Sequence, residues 1–99
     1  MRMLKFAVEG QLLKKDGDFS GIRAGSANYL KCQFASSDPD WKKSKKAAVF
    51  NNLYPVALDE SLCCMVPEEV TSDRSFRVQL VGQNGKTRIV TNAVLIEQV

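Results

Sequence analysis

In SFRVQLVGQNGKTRIVTNAVLIEQ, residues 75–98, Phe76, Val78 and Leu80 alternate with polar positions, and an apolar return follows Asn84-Gly85. Successive side chains take opposite faces only in an extended chain, so a period of two commits this segment to a half-buried hairpin and excludes a helix. Asn-Gly readily takes the positive φ angles of a type I′ turn. With those two residues as the loop, Leu80 is expected opposite Ile89, and Val78 opposite Thr91. The pattern then changes phase through Val94 and Ile96, which predicts a bulge at Asn92.

The same signature recurs upstream. Leu4, Phe6 and Val8 share one face of MLKFAVE, and Leu30, Cys32 and Phe34 share one face of NYLKCQFA. Between them LLKK resumes after Gly10-Gln11, and DGDFSG at 16–21 is dense enough in turn formers to suggest a hairpin-like connection. SSDPD ends the second strand, because Pro39 cannot donate to a ladder. KAAVF and LYPVALD read as two strands joined near Asn51 and Asn52, with Pro55 marking an edge or a bulge, and SLCCMV reads as a further short one. VPEEV at 66–70 supplies the single helical signal, one turn with Pro67 at its start. About seven or eight strands and no long helix predict an all-β, single-domain antiparallel β-sandwich over residues 1–99. An OB-like barrel fits the strand count, but its usual helix has no place here.

With 44% hydrophobic and 25% charged residues, a chain of 99 residues can bury one core. No apolar run approaches the ~20 residues that span a bilayer, and the amino terminus lacks the apolar centre of a secretory peptide. A formal charge of +3 permits nucleic acid without demanding it. Cys32, Cys63 and Cys64 make an odd count with an adjacent pair, so buried free thiols are expected rather than a disulfide framework.

Candidate chemistry is sparse. The absence of histidine removes every His-dependent triad, dyad and zinc site. GIRAGSAN and VGQNGK lack the spacing of a phosphate loop. Asp38 and Asp40, Asp59 and Glu60, and Glu68 and Glu69 are carboxylate pairs in expected turns, where nothing separates their environments as an acid and base pair requires. The sequence is therefore read as a non-enzyme with no cofactor, no metal and no catalytic residue.

DPDWKKSKKAAVF, residues 38–50, sets Trp41 among Lys42, Lys43, Lys45 and Lys46. Cations beside an aromatic platform suit single-stranded nucleic acid or glycan stacking. The competing reading sends the indole into the core as a corner and leaves the lysines as a solvated turn guarding a strand edge. The second is favoured, since a small domain needs a large residue in its core.

NYLKCQFASSDPDWKKSKKAAVF, CMVPEEV and FRVQLVGQNGKTRIVTN, in this order, resemble a family of small phage and prophage proteins of Gram-positive bacteria. Over about residues 4–97 the chain is similar to the amino-terminal β-sandwich domain of phage baseplate upper proteins. The resemblance implies a non-catalytic structural module of a virion tail or baseplate. It would be made in the host cytoplasm, bind other tail or baseplate proteins, and be present as copies in a ring. It also implies that Trp41 and Pro67 pack together to fix one corner. The alternatives are a host-glycan module stacking sugars on Trp41, Tyr29 or Tyr54, and a weak nucleic-acid binder using Lys42 to Lys46. No membrane partner is expected.

Overall fold

Leu4, Phe6 and Val8 all point inward from β1 (Arg2–Glu9), the first strand of a computed structural model that describes residues 1–99. The remaining strands are β2 (Leu12–Lys15), β3 (Leu30–Ala35), β4 (Lys45–Phe50), β5 (Tyr54–Ala57), β6 (Cys63–Met65), β7 (Ser75–Asn84), β8 (Thr87–Val90) and β9 (Val94–Glu97). Two helical turns, α1 (Pro39–Lys42) and α2 (Glu68–Thr71), interrupt them. Sheet A has the order β2-β1-β3-β6. Sheet B runs β5-β4-β7, and the far edge of β7 is shared by β9 beside its first residues and β8 beside its last.

The inner faces of both sheets merge into one core cluster of 18 buried residues. Phe6 and Phe34, register partners on β1 and β3, stack at 5.1 Å, and Phe50 of β4 meets Phe76 of β7 at 6.2 Å. Each such side chain contributes roughly 1.5–3 kcal/mol by leaving water. The all-β sandwich read from the alternation is the fold that forms.

The details differ in four ways. There are nine strands rather than seven or eight. There is a second helical turn, α1, where only a strand stop was expected: Asp38 caps it by accepting from the Asp40 amide, and Pro39 takes its first position. The sheets are not wholly antiparallel, because β3 runs parallel to β1. Residues 16–29 make no hairpin; they form a crossing held down by buried Ile22, by Phe19 edge-on to Phe6, and by Arg2 donating to the Ser20 carbonyl at 2.7 Å. Since β2 already occupies one edge of β1, β3 takes the other in the same direction.

The fourth difference is register. Asn84 pairs with Thr87, so the loop is Gly85-Lys86, with Gly85 at φ +59°. Leu80 then faces Thr91 and Gly82 faces Ile89, a shift of two residues that keeps Ile89 on the core side. Gly with positive φ in the first loop position suits a II′ turn as Asn-Gly suits I′, so turn chemistry alone permits either register. The bulge lies where it was expected. Leu80 faces Thr91 but Val78 faces Val94, so Asn92 and Ala93 stand against Gln79 alone.

That bulge closes one seam of the sandwich. The Asn92 side chain accepts from the Leu13 amide at 2.7 Å and donates to the Leu13 carbonyl at 3.0 Å, as a neighbouring strand would. On the opposite side β5 is an edge strand. Pro55, opposite Val49, removes an outward donor there and blunts the edge.

Candidate functional site

At the Trp41 corner the chain leaves β3, is capped at Asp38 and makes one helical turn. Trp41 is fully buried. Its indole Nε1 donates to the Gly10 carbonyl at 2.7 Å, while the Gly10 amide donates to Asp38 Oδ2 at 3.0 Å. One residue of the β1–β2 turn is thus gripped at both backbone groups. The other side of the ring lies on Gly82, where an added Cβ would come within 2.8 Å of Trp41 Cζ3. Ser44, donating to the Asp40 carbonyl at 2.7 Å, packs against the same glycine. The corner therefore ties a turn of sheet A to a central strand of sheet B, and no aromatic surface is left for a base or a sugar.

The four lysines do not form one cationic surface. Lys42 and Lys43 are exposed on and just beyond α1. Lys45 and Lys46 open β4, where alternation sends them to opposite faces. Lys45 is exposed on the outer side, and Lys46 folds back to donate from Nζ to the Ser44 carbonyl at 2.9 Å.

Pro67 is not a partner of Trp41. The Val66 amide bonds the carbonyl of Leu30, the first residue of β3, whereas Trp41 follows the last. The two residues therefore mark opposite ends of the sandwich. Pro67 starts α2, whose end is fixed by Thr71 Oγ1 donating to the Ser26 carbonyl at 2.7 Å. The buried Gln98 amide donates to the carbonyls of Thr71 and Asp73, and its Oε1 has no partner.

Of the aromatic residues considered for glycan stacking, Tyr54 points inward against the core. Tyr29 remains exposed, in a depression of about 280 Å³ shared with Arg2 and Arg23. Cys32 and Cys64 are register partners inside sheet A, and all three cysteines are free and buried. The neighbouring Cys64 thiol and burial push the Cys32 thiol well above its ordinary value, so it stays protonated and unreactive as a nucleophile.

The outer faces of both sheets mix apolar and charged side chains. Lys5, Lys14, Lys31 and Gln33 share the outer face of sheet A with Met3, Ala7, Leu12 and Met65. On sheet B the outward positions include Ala47, Val49, Pro55, Val81, Val90 and Leu95. The alternation marks the buried half of each strand and leaves open how the outward half assembles into a face. Gly82, a lone glycine inside a strand pattern, was the available signal of a close approach at the corner.

Comparison with known proteins finds no family model, curated protein or solved structure that matches the chain.

Proposed function

We propose that this domain is a non-catalytic structural module of a phage tail or baseplate, acting through protein–protein contacts. The observation that carries the contact role is the outer face of sheet B. Ala47, Val49, Pro55, Val81 and Val90 are neighbours there by register, and a contiguous outward apolar patch of this kind suits a protein contact. The phage context comes from the ordered motifs around NYL, DW, VPEEV and the RIVTN hairpin. Detection of the chain by mass spectrometry in purified particles from an induced host, with tail genes beside its own, is the expected result. Its absence from particles, together with a gene set among metabolic functions, would overturn the assignment.

A host-glycan role is the second reading, and the exposed Tyr29 beside Arg2 and Arg23 is what favours it. Retention on a cell-wall extract that is lost in Tyr29→Ala and kept at high salt would support it. A nucleic-acid role would show the opposite salt response.

A further inference from the structure

Sheet B's outer face has an internal symmetry about its middle row. Its residues fall into rows across the strands, set by the register. The middle row is Pro55, Val49 and Gln79. On one side lies a row of Ala57, Ala47, Val81 and Val90, then an end row of Lys45, Gln83 and Arg88. On the other side Asn51, Arg77 and Leu95 form a row, bonded between Asn51 and Arg77, and Ser75 and Glu97 end the face. Because β8 and β9 share one edge of β7, Arg88 and Glu97 stand in one column, equally far from the middle row.

We propose that this face is the interface of a two-fold dimer of the chain, with the axis lying along the middle row, perpendicular to the strands. Rotation about that axis lays each row on its counterpart in the second copy. Arg88 meets Glu97 and Glu97 meets Arg88, so both ends carry an opposite-charge pair. Val90 covers Leu95, Val81 covers the aliphatic stem of Arg77, and Val49 meets its own copy on the axis. An axis parallel to the strands would instead lay the end row of Lys45, Gln83 and Arg88 on the same row of the second copy, which like charge disfavours. Twisted sheets stack face to face at about −30°, which this arrangement accommodates.

Four strand widths of about 4.8 Å and the length of β7 at about 3.3 Å per residue give a face of roughly 600 Å² per copy, or roughly 1,200 Å² in total. That clears the lower bound of specific interfaces and fits a dissociation constant on the order of micromolar. The dimer names the surface by which copies meet and does not depend on the virion assignment, so either can fail alone.

Light scattering during size exclusion, loaded at on the order of 100 µM to stay well above such a constant, tests it. The expected mass is twice the 11.0 kDa of the chain. Val49→Lys places two like charges on the axis from a position outside the core, and should raise the dissociation constant by more than roughly 100-fold with the thermal midpoint of the monomer retained. Glu97→Arg and Arg88→Glu should each weaken the dimer by roughly tenfold, and the double variant should recover to within about threefold of the parent, which a folding defect would not do. A monomer at that concentration, a larger ring, or a dimer indifferent to Val49→Lys and to the charge exchange would overturn the proposal.

Discussion

One end of the sandwich is closed by an indole pressed between two glycines, the other by an amide side chain that ties loop carbonyls together. At the Trp41 corner the polar atoms of the linkage are paired, and the ring fills the space above Gly82. At the α2 end Gln98 satisfies the carbonyls of Thr71 and Asp73 while its own Oε1 stays unpaired. The first closure centres on one large buried ring with every polar atom paired, and the second joins the small buried side chain of Val70 to hydrogen bonding that is incomplete at Gln98. Packing scales with the volume removed, whereas a hydrogen bond returns most of its energy to water when broken. The two ends should therefore respond unequally to truncation.

The largest effect is expected at Trp41. Trp41→Ala should cost about 3–5 kcal/mol in denaturant unfolding, and the wild-type emission should be blue-shifted and poorly quenched by iodide. A readily quenched Trp41 whose loss leaves stability intact would invert the comparison. Gly82→Ala should cost about 1–3 kcal/mol, since the new methyl meets Trp41 Cζ3 at 2.8 Å. Combined with Trp41→Ala, most of that second cost should vanish, because the cavity accepts the methyl. A cost that persists in the double variant would mean that Ser44, whose Cβ and Oγ lie at 3.0 and 3.1 Å, and not the ring, crowds Gly82.

Gln98→Ala should cost only about 1 kcal/mol, because two donated bonds are lost while an unpaired buried carbonyl is removed with them. A cost equal to that of Trp41→Ala would show the two closures to be equivalent. Smallest of all, Lys42, Lys43, Lys45 and Lys46 changed singly to Ser should each shift stability by about 0.5 kcal/mol or less. Three of them are exposed, and Lys46 contributes one bond to the Ser44 carbonyl.

How much of this could be read beforehand differs between the two ends. Burial of Trp41 follows from the need of a small domain for a large core residue, and DPDW carries the signature of a capped helical turn that was read as a stop. Its partners could not be read, since Gly10 and Gly82 are far apart in the chain and a glycine marks a close approach without naming what approaches. Pro67 was expected beside Trp41 from a picture in which both turns shared a corner. The direction of β3 places them at opposite ends, and that direction depends on the crossing at residues 16–29, where turn-forming residues concealed a segment anchored by Ile22 and Phe19. The hairpin loop shows the same limit on a smaller scale. Asn84-Gly85 and Gly85-Lys86 are both sound turns, and only the assembled sheet, with Ile89 beside Gly82 and Thr91 beside Leu80, distinguishes them.

By itself the sequence determined which segments are extended, which of their faces are apolar, where the β9 side bulges and that Pro55 lies at an edge or a bulge. These are local properties, written in a period of two and in residues whose backbone limits are their own. Only the tertiary structure decided that β3 runs parallel to β1, that the β7–β8 register moves the loop to Gly85-Lys86, and which end of the molecule receives each turn. It also decided that Arg88 and Glu97 share a column on sheet B, because β8 and β9 reach the same edge of β7 from either side of the Asn92 bulge. Such outcomes depend on contacts between residues distant in sequence, where many pairings satisfy the same alternation and close packing retains one.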